Sequence, residues 1–206
     1  EEPTPAPRFV SLAELGLIYD ACSVARWPRE ETTGIPPAEW WRSSLVYLSN
    51  CGSRTVDWLA LRTDDVDLKS GVVTLRREQK TGKANRIPLA RCVVDHLAGI
   101  WSNRDFVFPA PKNKRDRNAT FRAIQSEAGI AEPYRIKDLR STCGDRWYAI
   151  EPAAARGVLN HSDQRTTERH YARKAERDFD RLAQLAETIE QPAAFLRGKP
   201  TLRVVR

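Results

Sequence analysis

The chain has 206 residues, enough for one domain with a real core or for two small ones; 41% hydrophobic and 30% charged residues fit a globular protein. A net charge of +7 favours a polyanionic partner, no apolar run nears the roughly 20 residues of a membrane span, and no signal peptide opens the chain. Cys22, Cys51, Cys92 and Cys143 form no C-x-x-C pair and the three histidines are dispersed, which argues against a metal cluster and reads as buried, reduced thiols of an intracellular protein.

Residues 1–8 carry three prolines and read as a linker. With no methionine anywhere, the chain is expected to be a piece of something longer. Ser11 to Glu14 is a capping box, and Leu12, Leu15, Tyr19 and Cys22 follow at helical spacing. Residues 26–37 read as a loop, with Pro37 suited to a first helical turn. Trp41, Leu45 and Leu48 then mark a core helix that Gly52-Ser53 breaks. Ser53 is expected to cap the next helix, in which Arg54 and Asp57 share a face and Trp58, Leu59 and Leu61 point to the core.

The period then changes from 3.6 to 2. Residues 65–68, 72–77 and 85–89 read as a three-stranded antiparallel meander, with turns at Lys69-Ser-Gly71 and at Lys80-Thr-Gly-Lys83. Residues 90–101 read as a helix and 106–108 as an extended segment. The run 111–118 reads as a loop in which Lys112, Lys114, Arg115 and Arg117 are either solvated or set against a phosphate backbone. A helix is expected over 120–128, stopped by Gly129, and another over 135–150 with Ile136, Leu139, Cys143 and Trp147 on its buried face. Lys137 and Arg140 lie one turn apart on another face, and Tyr148 lies within the same core-like helix. Two short helices follow, then a helical face of Phe179, Leu182, Leu185 and Ile189, then a tail, 191–206, with no evident place in a core.

Cations that can hold a phosphate thus precede a phenol, Tyr171, that can attack it. The boxes carrying them are Cys51-Gly-Ser-Arg54-Thr-Val-Asp57, the Lys80 turn before Arg86-Ile-Pro-Leu89, Lys137-Asp-Leu-Arg140 and Leu159-Asn-His161-Ser162. In this order the chain resembles the catalytic domain of the tyrosine recombinase (phage integrase) family, from about residue 10 to 175. The resemblance implies a mainly α fold with a small antiparallel three-stranded sheet, preceded by a separate DNA-binding domain. Lys137 stands where the family usually has His, Asn160 where it has Gly, and Tyr171 follows His161 by ten residues where nine is commoner. His170 occupies that ninth position and reads as a solvated neighbour.

The chemistry implied is transesterification, in which tyrosine attacks a phosphodiester and stores the break as a 3′-phosphotyrosine. Arg54 and Arg140 would stabilise the charge on the non-bridging oxygens. Lys137 or His161 would share the tyrosine proton, and Lys80, with Lys83 as the alternative, would protonate the leaving 5′-oxygen. Asp57 would orient the basic cluster. The resemblance implies no cofactor and no metal. Expected partners are double-stranded DNA and three further copies, in a homotetramer on two DNA sites with C-terminal segments exchanged or docked in cis and a monomer in isolation, and the expected location is the cytoplasm, at the nucleoid, for a prokaryotic or phage-encoded protein. A type IB topoisomerase, a telomere resolvase, or a DNA-binding module without catalysis are the competing readings.

Overall fold

The computed structural model describes residues 8–75, 85–151, 158–159 and 181–197. Helix α1, Leu12–Asp20, starts where the capping box predicts: the Ser11 hydroxyl accepts from Glu14 N–H and the Glu14 carboxylate takes Ser11 N–H at 3.0 Å. The loop after it is not featureless. A 3-10 turn, Ala21–Val24, a cis Trp27–Pro28 bond and the short helix α2, Glu30–Thr33, precede α3, Pro37–Cys51, with Pro37 at its first position.

Helix α3 is the centre of the fold. From Ser43 to Cys51 every residue is buried, as expected of a helix with neighbours on all sides. It packs against α5, Arg91–Gly99, and α7, Ile136–Ile150. Trp40 and Trp41 join Trp27, Trp58 and Phe108 in one aromatic cluster, and Trp41 stacks on Phe121 of α6, Lys114–Glu127, with centroids 5.6 Å apart. Both indole N–H groups reach carbonyls, Trp40 that of Pro109 and Trp41 that of Trp27.

Helix α4 runs from Thr55 to Leu59, shorter than the sequence implies, and Ser53 does not cap it. The Ser53 hydroxyl pairs instead with the buried Tyr47 hydroxyl at 2.8 Å, so Arg54 occupies the N-cap position without a side-chain cap. The sheet has the order β1-β2-β3, formed by Val66–Asp67, Val72–Leu75 and Asn85–Pro88, antiparallel throughout. Asp67 accepts from Lys69 and Ser70 N–H in the first turn, which Gly71 closes at φ 66°. The second turn, with Lys80 and Lys83, lies outside the described residues. Phe106 makes a single antiparallel bridge to Arg62.

The basic run 111–118 is mostly helix rather than loop. Asn113 accepts from Asp116 N–H at 3.1 Å and starts α6 there, so Lys114, Arg115 and Arg117 sit on its first turns and only Lys112 precedes it. Tyr148, on α7, is 62% exposed and is not a core residue. In the C-terminal segment Leu182, Leu185, Ala186 and Ile189 are buried, and the turn Ala193–Leu196 folds onto α1 with Phe195 against Tyr19. Among the described residues no helix is long and apolar enough to cross a membrane.

Candidate active site

The site begins at the end of α3. Gly52 turns the chain with φ 59°, a left-handed conformation that suits glycine, and donates its N–H to Leu48 at 3.0 Å. Two residues on, Arg54 stands at the surface, 3.9 Å from the Asp57 carboxylate. That separation is a loose pair between half-exposed side chains, worth little to stability, and it leaves Arg54 at the surface of the turn.

The last turn of any helix leaves backbone carbonyls without partners. Here α7 supplies them from one face. Arg140 donates to Gly52 O at 2.5 Å, Cys143 Sγ and Trp147 Nε1 to Asn50 O at 3.2 and 3.1 Å, and Arg146 to Ser49 O at 3.1 Å. Two of these four donors are cations at the negative end of the α3 dipole, where positive charge is favoured. Arg140 therefore reaches the turn that carries Arg54. Burial pushes the Cys143 thiol up to about 12 and Cys51 well above its ordinary value, so both stay protonated and neither is a nucleophile at neutral pH.

Arg140 also donates through its second terminal nitrogen to Leu159 O at 2.5 Å. The Leu159 side chain wedges between two glycines. A Cβ on Gly52 would lie 2.6 Å from one of its methyls, and a Cβ on Gly144 would lie 2.6 Å from the other. The turn of the first box, the helix of the second and the first residue of the third are thus one packed unit.

The start of α7 is fixed separately. Asp138, 2% exposed, accepts Arg135 N–H at 2.8 Å and pairs with the Arg135 guanidinium at 3.2 Å. A buried carboxylate at a helix N-terminus is stabilised by the dipole as well as by its pair. Beside it, Lys137 is exposed, one turn before the half-buried Arg140.

Of the residues singled out from the sequence, Arg140 reaches the turn that carries Arg54 and its partner Asp57, and Lys137 lies one turn before Arg140 on α7. Lys80, Lys83, His161, His170 and Tyr171 lie outside the described residues. Lys112, Lys114 and Arg115 are exposed, whereas Arg117 is half-buried and burial lowers its pKa. Lys114 and Arg115 line an open concavity on α6 with Asn118, Ala119 and Arg122. Asn118 and Arg122 were not singled out, although i, i+4, i+8 spacing from Lys114 marks that face. Arg146 and Cys143 were missed as capping donors because their acceptors are backbone carbonyls, which no residue letter signals.

A mainly helical core with a small three-stranded antiparallel sheet is the fold of integrase catalytic cores. The model of the phage integrase family matches residues 30–178, and the chain belongs to that family. A protein of Sinorhizobium fredii that carries the name integrase/recombinase y4rE is 32% identical over 111 residues, covering 53% of this chain and 34% of its own length. The XerA recombinase structure superposes with a TM-score of 0.60 at 17% identity, covering 95% of this chain and 64% of that one. The Tn1549 transposon integrase, in complex with transposon right end DNA, gives 0.60 at 16% identity over 86% of this chain and 68% of that one. The chain spans about a third of y4rE and just under two thirds of XerA.

Proposed function

We propose that this chain is the catalytic domain of a site-specific recombinase that cuts and rejoins double-stranded DNA through a 3′-phosphotyrosine. The observation that carries the reading is Arg140 bound to both Gly52 O and Leu159 O, which ties Arg54, two residues past Gly52, to the helix of Lys137. The nucleophile is Tyr171, ten residues after His161. Its oxygen attacks the phosphorus and its proton passes to His161 as the neutral imidazole or to Lys137 as the neutral amine. The phosphorus–5′-oxygen bond breaks, and Lys80 or Lys83 protonates the departing oxygen. One phosphodiester is exchanged for another, so no nucleotide is consumed.

Arg54 and Arg140 neutralise the non-bridging oxygens in the transition state, and a planar guanidinium can pair with two oxygens at once. These fixed cations stand where other phosphoryl-transfer sites use metal ions. Asp57 restrains Arg54 and takes no proton. Lys112, Lys114, Arg115 and Arg117 meet the DNA backbone outside the cleavage point. Exchange between two DNA sites asks for four copies, and the DNA held by the Tn1549 integrase supports DNA as the substrate here.

The test is covalent capture. The protein is incubated with a pool of nicked duplexes of varied sequence, in which cleavage releases a short oligonucleotide and prevents religation. A DNA–protein adduct that withstands denaturation is expected, and Tyr171→Phe abolishes it. An adduct that persists in Tyr171→Phe, or none from the wild-type protein, overturns the proposal.

A further inference from the structure

Helix α7 is fastened at two points by the residues that lead into the domain. Arg8 lies over the Tyr134 ring, 4.5 Å from its centroid, and donates to Pro133 O at 3.2 Å and Glu132 O at 2.8 Å. Tyr134 directly precedes the Arg135 cap of α7. Its hydroxyl donates to Glu14 at 2.9 Å, and Glu14 is the closing member of the α1 capping box. Its backbone is held by the buried Gln125 of α6, which accepts Tyr134 N–H at 2.7 Å and donates to Tyr134 O at 3.1 Å.

The second point lies two turns into α7. Val10 N–H donates to the Thr142 hydroxyl at 2.8 Å, and that hydroxyl donates to Asp138 O at 2.9 Å. Both residues are buried, so the hydroxyl has one donor and one acceptor and no solvent alternative. Lys137 and Arg140 fall between the two points. Among the described residues, the hydrogen bonds and ring contact that Arg8, Val10 and Glu14 make outside the α1 capping box go to α7 and to the segment that leads into it.

We propose that residues 8–14 form a strap that sets the first two turns of α7, with Arg8 and Thr142 as positioning residues for Lys137 and Arg140. The proposal rests on the reading of those two cations as part of the cleavage site. A cation held over an aromatic face and a bond buried at both ends persist where an exposed ion pair, such as Arg8 with Glu132, is readily lost to solvent. Loosening either point lets the N-terminal turns of α7 fray, and Arg140 leaves the Gly52 and Leu159 carbonyls a larger share of the time.

The experiment uses the 206-residue chain, hydrogen exchange read over Arg140 to Gly144, and the pool of nicked duplexes as the DNA probe. Arg8→Ala and Thr142→Val are expected to speed exchange there about fivefold, the effect of losing one hydrogen bond's net contribution. Adduct formation at saturating duplex is expected to slow about tenfold, with duplex affinity unchanged within twofold. Thr142→Ser, which keeps the hydroxyl, restores both. Arg197→Ala, which removes the ion pair to Asp20 on α1, leaves both unchanged. Unchanged exchange in Arg8→Ala and Thr142→Val, or acceleration spread evenly over α5 as well, overturns the strap. Arg140→Ala separates the two claims: adduct formation as fast as wild type removes Arg140 from catalysis, and the exchange result still decides the strap.

Discussion

Arg140 and Gly52, 88 residues apart in the chain, meet at 2.5 Å through a guanidinium N–H and a backbone carbonyl. The bond closes the end of α3 and brings the second arginine to the turn of the first. Arg140→Ala is expected to do two separable things. It removes two charged hydrogen bonds, at a cost of about 2 kcal/mol or more in stability. That lowers the thermal midpoint by roughly 2–4 °C per kcal/mol in a domain of this size. On the proposed reading it also lowers adduct formation with nicked duplex by a factor of about 100 or more, because a fixed positive charge at the phosphate is lost. Arg140→Lys keeps the charge but cannot reach both carbonyls, so it should recover less than half of the lost stability. Calorimetry and adduct yield, measured together, check this.

Gly52 faces two constraints, its left-handed φ and the Leu159 methyl at 2.6 Å from any added Cβ. Gly52→Ala should therefore cost about 2 kcal/mol or more, with about 1–2 kcal/mol from the backbone conformation alone. Most of the steric part depends on Leu159, with Cys143 Sγ at 3.1 Å the next neighbour, and the backbone part depends on neither. A double-mutant cycle with Leu159→Ala isolates the difference, and a coupling near zero would remove the wedge as the explanation.

What the sequence discloses about this site follows the range of each interaction. The Ser11 capping box, the Pro37 start and the 65–89 meander are decided within a few residues, and periodicity and turn chemistry find them. Ser53 is a strong local cap candidate that loses to a tertiary partner, the Tyr47 hydroxyl. The α6 start was legible in principle, since Asn113 and Asp116 are spaced as a cap pair, but the surrounding charge masks the helical period. Phe195 belongs to a four-residue apolar turn, too short to show a period, and packing on α1, with Tyr19 against its ring, makes it core. The boxes of the split site were readable as residue types in order. Their joining was not, because Arg140 binds carbonyls and Leu159 fills the space two missing side chains leave.

His96 gives the fold a pH dependence on the acid side. Its Nδ1 lies 2.7 Å from Cys92 O, which can only accept, so Nδ1 carries the proton and Nε2 takes the Tyr19 hydroxyl at 2.7 Å. Burial holds the imidazole below its ordinary 6.5. The unfolded chain therefore binds more protons than the folded one between the lowered value and 6.5. The stability from neutral His96 is present above 6.5, is lost as pH falls below it, and levels off beneath the folded value. The other charges nearby are Glu39, Asp95 and Arg42, with Arg42 also 5.6 Å from the Tyr19 ring. Urea midpoints at pH 5.5 and 7.5 should differ in the wild type and converge in His96→Gln. An undiminished difference in that variant would assign the pH dependence elsewhere.

The exposed face of α6 provides a test that depends on salt rather than on chemistry. Lys114 and Arg115 lie at the positive end of the helix dipole, where cations are disfavoured unless an anion answers them. With Arg122 they line one concavity. If they contact DNA phosphates, each releases counterions on binding, and log Kd rises with log salt by about 0.9 per contact. Lys114→Ala, Arg115→Ala and Arg122→Ala are each expected to weaken duplex binding and to reduce the salt slope by about 1. Lys69→Ala, in the β1–β2 turn, should leave the slope unchanged. Fluorescence anisotropy with a labelled duplex across a salt series gives both quantities. A weakened affinity with an undiminished slope would mean that a residue contacts base edges instead, and a wild-type affinity would take it off the interface.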